Sequence, residues 1–344
     1  MNKCKSCGSK INFVPKQKGC QCESCGTVFP ARYNYNFNKK PFSENIVLKV
    51  DNFANNTKSL KCSSCGATML LNKLQTQSNC PYCGNTSITE SRKNKLMYID
   101  SIIPFTFSKE DALKNFKSTL LKKFYAKKSV FKGVNINSIN GLYVNAFVFD
   151  MVVNSSYSGV FSYTKTTTDK DGNSKTEIVH KNISGTYKNN FYNITVEANS
   201  HIDQMDLNSI MPFNFGSAVE FREDFMNGYL LEYENKMFDD CVKIAENIIK
   251  KRIENDLLRE HNCDRIVSLD LKTQYLDRKY NYCLLPIYTI SNTYKNKKYT
   301  SLINGQTGKI GQLPISGWKV LLTVLFVCGL IVGVILLFIF ANKG

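Results

Sequence analysis

Histidine is scarce in this 344-residue chain, where His180, His201 and His261 are the whole supply. Each is isolated from any other catalytic motif, which leaves Ser–His and Cys–His chemistry little to build on. No nucleophile elbow, metalloprotease helix or dinucleotide glycine fingerprint occurs. The opening "MNKCKSCGSKINFVPKQKGC" lacks the apolar core of a secretory signal, which argues against export. Arginine is nearly missing from residues 1–95, which hold Arg32 and Arg92 alone, so no arginine stripe for phosphates is present there.

Two sequence features imitate chemistry. "NGQTGKI" at 304–310 ends like a phosphate-binding loop, but Ile303 stands where the first glycine belongs and Ile310 where the hydroxyl belongs. Its Asn-Gly and Thr-Gly pairs are better explained as hairpin turns. Asp239-Asp240 falls in a helical pattern, where adjacent side chains point to different sides. His261 lies near that helix's end and His180 near a hairpin tip.

What the chain does have is cysteine, thirteen in all. Cys4, Cys7, Cys22 and Cys25 follow the spacing C-x2-C-x14-C-x2-C, and Cys62, Cys65, Cys80 and Cys83 repeat it 58 positions later. Lys3/Lys61, Ser6/Ser64, Gly8/Gly66 and Gly26/Gly84 shift with them, so one small unit is duplicated. Two residues between cysteines let one tight turn aim both thiolates at one ion, and the following glycine tolerates the positive φ of such knuckles. Four thiolates close a tetrahedral site with no position left for substrate. The expectation is two zinc ions, one per ribbon, each supplying about 10–16 kcal/mol of apparent folding free energy; iron is the alternative metal. Cys20 has Ser78 as its counterpart and is expected to be a spare thiol, while Cys241, Cys263, Cys283 and Cys328 are expected to pack.

The net charge is +17, of which residues 1–95 carry +11. A basic front end suits nucleic acid, an anionic lipid surface or an acidic protein partner.

Residues 320–340, "VLLTVLFVCGLIVGVILLFIF", contain no charge, and 17 of the 21 are Val, Leu, Ile or Phe. As a helix they span about 31 Å, the thickness of a hydrocarbon core. Trp318 and Lys319 suit the interfacial belt, and Gly329/Gly333 form a GxxxG that would let two helices pair into a homodimer. With only "ANKG" beyond, and Lys309 and Lys319 before the span against Lys343 after it, the expectation is a tail-anchored, single-pass protein of the cell membrane with its N-terminal domains in the cytoplasm.

Between these ends the pattern is α+β. Ser108 and Asp111 predict a capping box opening a helix from Lys109 to about Tyr125. Residues 141–196 predict strands with a hairpin tip at Asp171-Gly172. Phe238, Cys241, Ala245, Ile248 and Ile249 predict a long helix from about Lys236 to His261. "YCLLPIYTISNTYKNKKYTSLINGQTGKI" predicts two or three antiparallel segments. The expected organisation is ribbon 1 at 1–30, a linker with a short strand at 31–60, ribbon 2 at 61–90, an α+β domain with antiparallel sheets at 96–315, and a transmembrane helix at 318–341.

The paired knuckles, "IIPFTFSKEDALKNF", "LYVNAFVFD", "IMPFNF" and "LLPIYTISNTYKNKKYTSLINGQTGKIGQLP" together resemble zinc-ribbon-containing membrane proteins of Gram-positive bacteria. That group is often catalogued as transcription-factor-IIB-type zinc ribbon proteins, and sometimes as primosomal helicase-like or phage replication proteins. A helicase role finds no ATP-binding motif here. The sequence departs from the group's usual proline and tryptophan at Val144-Asn145-Ala146 and Tyr288. The resemblance implies envelope or membrane-stress work. The reading from sequence is a non-enzymatic, membrane-tethered adaptor whose ribbons recruit protein partners; the alternative is a membrane-anchored nucleic-acid binder using the basic front.

Overall fold

The computed structural model describes residues 3–43, 57–73, 77, 79–91, 98–168, 174–199, 201–232 and 236–341. Strands β1 (Ile11–Val14), β2 (Gly19–Cys22) and β3 (Val28–Pro30) form a small antiparallel sheet inside the first cysteine unit. The larger sheet draws on β4 (Lys40–Pro41), β5 (Thr57–Cys62), β6 (Thr68–Asn72), β7 (Ile88–Ser91) and β8 (Ser101–Ile102).

Helix α1 (Lys109–Lys122) follows, opened by the expected box: the Asp111 N–H donates to Ser108 Oγ at 3.3 Å and the Ser108 N–H to Asp111 Oδ2 at 3.2 Å. Ala112, Phe116 and Leu120, four apart, are its buried stripe. Next come β9 (Ile139–Thr168), β10 (Ser174–Glu197), the short α2 (Gln204–Ile210), β11 (Val219–Glu220) and β12 (Leu230–Glu232). Helix α3 (Phe238–Glu260) buries Cys241, Ala245, Ile249, Ile253 and Leu257. Strands β13 (Arg265–Tyr294) and β14 (Lys297–Asn304) complete the sheet, and α4 (Gly317–Ala341) is the last described element. The predicted tip at Asp171-Gly172 lies outside the described residues.

Strand order is β11-β8-β13-β9-β12-β6-β5-β7, with β10 also on β9, and β14 and β4 on β13. The long β9 is its axis, pairing antiparallel with β13 from Ile139 to Ser162 and with β10 from Ala146 to Thr168. "LYVNAFVFDMVV" is apolar on both faces because both faces are covered. Tyr143, Phe147, Phe149, Met151 and Val153 enter one core with α1 and α3, whereas Leu142, Val144, Ala146 and Val148 enter a second core with α2. Strand β13 divides the same way, Tyr282 and Leu284 into the first and Cys283 and Leu285 into the second.

The two cysteine units join opposite cores. Ile11, Phe13 and Cys20 of the first unit lie in the α1/α3 core. Leu60, Met69 and Leu71 of the second lie in the α2 core, and β6 pairs with β12 (Leu70 with Leu231, Met69 with Glu232). The apolar residues of both units are thus shared with the body, so metal is not their only support.

Candidate metal centres

Four knuckles have one backbone design. The N–H of Gly8, Gly26, Gly66 and Gly84 donates to the carbonyl of Cys4, Cys22, Cys62 and Cys80 at 2.9, 3.2, 2.9 and 2.9 Å. Each of those cysteine N–H groups donates five residues on, to Ser9, Thr27, Ala67 and Asn85. The glycines have φ of +76°, +73°, +79° and +69°. A Cβ at Gly8, Gly26 or Gly66 would meet nothing within 4 Å, so backbone conformation and not crowding calls for glycine there.

Within each set the four sulfurs all lie within 4.8 Å of one another. The closest Sγ separations are Cys7–Cys22 at 3.4 Å and Cys4–Cys25 and Cys7–Cys25 at 3.6 Å in the first unit. In the second they are Cys65–Cys80 at 3.6 Å and Cys62–Cys83 at 3.7 Å. A tetrahedral ion with bonds to sulfur of about 2.3 Å needs sulfurs about 3.8 Å apart, so each set fits one metal ion. All eight cysteines picked out by spacing are brought together in the expected fours. The Thr27 hydroxyl and N–H hold the Cys25 thiol down to about 6, while burial pushes Cys80 well up.

The two centres differ in setting. In the first, Cys7 and Cys25 are exposed. In the second, Cys62 and Cys80 are fully buried and Cys65 and Cys83 half-buried. The body grips the second knuckle pair directly: Ser291 Oγ donates to the Pro81 carbonyl at 3.0 Å, Thr300 Oγ1 to that of Tyr82 at 2.7 Å, and Lys298 Nζ to Ser64 Oγ at 2.8 Å.

Cys20 stands outside both four-cysteine clusters, as expected of a spare thiol, but it is not idle. It is buried, its Sγ donates to the Asp224 carbonyl at 3.3 Å, and the Asn227 amide donates to it at 3.6 Å. Beside it the Phe13 N–H donates to the Asn227 carbonyl at 2.8 Å, and the Phe13 and Phe225 rings meet edge to face at 5.1 Å. Cys241 and Cys283 are fully buried packing residues, with burial pushing both thiols up to about 12.

A feature that sequence reasoning missed adjoins the second centre. Glu197, ending β10, and Glu232, ending β12, are both fully buried. Lys236 Nζ lies 2.8 Å from Glu197 Oε2, and burial pushes Glu197 upward against that cation's pull. Burial first, and then the Glu197 charge, raise Glu232 well above the carboxylate range. The Tyr82 hydroxyl, from within the Cys80/Cys83 knuckle, donates to Glu232 Oε1. The signal available in sequence was an acid closing an apolar run, as in "GYLLE".

The other singled-out residues do not converge on a site. His180 lies in β10 opposite Ser162, and His261 caps α3 with Nε2 2.8 Å from the Tyr157 hydroxyl. The His201 ring stands 5.3 Å from that of Tyr82, and burial lowers its pKa. Asp239 and Asp240 occupy the exposed first turn of α3. "NGQTGKI" is a turn, as expected: buried Asn304 accepts from the Gln306 and Thr307 N–H groups at 2.9 and 3.0 Å. A Cβ on Gly305 would stand 2.4 Å from the Phe105 ring. This turn gathers two of the other quoted segments, because Gln306 exchanges hydrogen bonds with the Asn214 backbone at 2.7 and 3.0 Å and accepts from Thr106 Oγ1 at 2.6 Å.

Among the described residues one helix, α4, is long and apolar enough to cross a membrane; its window from Gly317 to Val334 has mean hydropathy 2.2 and is not buried anywhere.

The chain is 25% identical over 323 residues to "Uncharacterized protein YdjG" of Bacillus subtilis (strain 168), covering 92% of this chain and 91% of that protein. No family model and no solved structure matches it. What fold and comparison define together is an α+β chain with two four-cysteine clusters and an apolar C-terminal helix, similar along most of its length to that Bacillus protein.

Proposed function

We propose that this chain is a non-enzymatic, membrane-tethered zinc-ribbon adaptor. Each cysteine set holds one zinc ion, α4 spans the cell membrane, and the cytoplasmic ribbons recruit protein partners for envelope or membrane-stress work. The observation that carries the reading is the pair of four-thiolate groups, whose donors fill every position of a tetrahedral ion and so suit shape rather than turnover. Tethering two such surfaces at one bilayer makes modest affinities add through effective concentration. Gly329 and Gly333 leave an open stripe on α4, with nothing within 4 Å of an added Cβ, that a second copy could use.

The nucleic-acid reading draws on the +11 front end, but several of those cations are already engaged. Lys10 pairs with Glu23, Lys16 with Asp111, Lys39 with Asp150 and Lys40 with Asp100. The adaptor reading is therefore preferred.

Its test is a crosslinked pull-down of full-length protein from native membranes beside a Cys7→Ser/Cys25→Ser variant. These two ligands are exposed, whereas loss of buried Cys62 would damage the body itself. Proteins lost from the variant while membrane insertion persists are the expected result. An unchanged protein set sinks the adaptor, and nucleic acid lost instead puts the alternative first.

A further inference from the structure

The body meets α4 without a free linker. The Ser316 N–H donates to the Tyr125 carbonyl at 2.8 Å, the Lys127 N–H to the Pro314 carbonyl at 2.8 Å, and Ala126 bridges antiparallel to Ile315. Lys319, two residues into the helix, donates to the Phe124 carbonyl at 2.9 Å and sets its ammonium 5.0 Å from the centre of the Phe124 ring. The corner that follows α1 is therefore fixed beside the first turn of α4, level with Trp318.

That corner has an unusual surface for a soluble face. Leu121 is 70% exposed, Phe124 64% and Tyr125 46%, and across the junction Ile315 is 58% and Trp318 68% exposed. Residues 112–134 also carry seven lysines and no Asp or Glu. Among the described residues none of the seven is in an ion pair, unlike Lys10, Lys16, Lys39 and Lys40 of the front end. Lys122 and Lys123 suit the C-terminal end of the α1 dipole, but that does not explain the exposed rings beside them. A groove of about 510 Å³ opens here, between buried Leu120, Phe131 and Val134 and the side chains of Lys117, Lys128 and Lys132.

We propose that residues 117–134 form a second membrane contact, a basic and aromatic platform seated on anionic phospholipid headgroups at the point where α4 enters the bilayer. Water is a poor solvent for clustered rings, and an anionic interface both takes up the rings and attracts a cluster of lysines. Aromatic rings and lysine stems prefer this depth. Continuity with α4 and charge complementarity favour lipid over protein as the occupant. The inference rests on α4 being a membrane span.

Trp318 is the chain's single tryptophan, which separates the two claims. Full-length protein is placed in nanodiscs whose lipids carry brominated acyl chains, with either phosphatidylglycerol or phosphatidylcholine headgroups. Native Trp318 fluorescence reports the span. Phe124→Trp in a Trp318→Phe background reports the platform. The expected result is quenching of Trp318 in both discs, and quenching of the Phe124→Trp indole that is stronger in phosphatidylglycerol than in phosphatidylcholine. That excess should disappear on Lys117→Glu/Lys122→Glu/Lys132→Glu, at three exposed lysines. An unquenched Phe124→Trp indole beside a quenched Trp318 overturns the platform, as a protein-binding face would give. Quenching indifferent to headgroup and lysine charge overturns the anionic-lipid assignment. An unquenched Trp318 overturns the span.

Discussion

The Tyr82 hydroxyl donates to the carboxyl of Glu232, which lies 150 residues further along the chain and is fully buried. Tyr82 sits between Cys80 and Cys83, so this bond joins a knuckle of the second cysteine cluster to the floor of the α+β body. It also places a carboxyl where burial and the neighbouring Glu197 favour its protonated form.

A pH dependence follows from that shift. A carboxyl whose folded pKa lies above its ordinary value of 4.5 contributes stability that is fully present below that value. The contribution is lost as pH rises toward the folded value, by about 1.4 kcal/mol per pH unit. Glu232→Gln keeps an oxygen for Tyr82 and has no proton to lose. Its melting temperature should therefore fall less than wild type's between about pH 5.5 and pH 8. Circular dichroism in detergent reads the comparison, and equal slopes would contradict the assignment.

The first ribbon is docked by an aromatic contact. Phe225 is fully buried, with the Phe13 ring at 5.1 Å and the Tyr33 ring at 5.3 Å. Phe225→Ala should cost about 3–5 kcal/mol and release the ribbon from the body. Cys20, buried in that contact, then becomes reactive toward a maleimide in metal-loaded protein, with the site located by mass spectrometry. Cys20 labelling as slow as in the native chain would show that docking does not depend on this ring.

What the sequence made legible was local. The two groups of four cysteines followed from spacing within two short units, α1 from Ser108 and Asp111 three residues apart, and α3 from a 3.6-residue period. Errors began where distant segments decide. Helix α1 stops at Lys122 and not Tyr125, because the Phe124 and Tyr125 carbonyls turn to Lys319 and Ser316. Helix α3 starts at Phe238, and Lys236, expected to open it, instead reaches Glu197. The two-faced burial of β9, the sharing of ribbon cores with the body and the Tyr82–Glu232 bond depend on registers between residues far apart in sequence. No local pattern encodes those registers.

The central claim, two independent metal-built ribbons on one body, is tested most directly by metal content. Full-length protein purified in detergent, measured by inductively coupled plasma mass spectrometry, should carry two zinc ions per chain. Cys7→Ser/Cys25→Ser should carry one, since the second centre keeps all its ligands. A folded full-length chain without stoichiometric metal, or a variant that loses both ions together, would contradict the account.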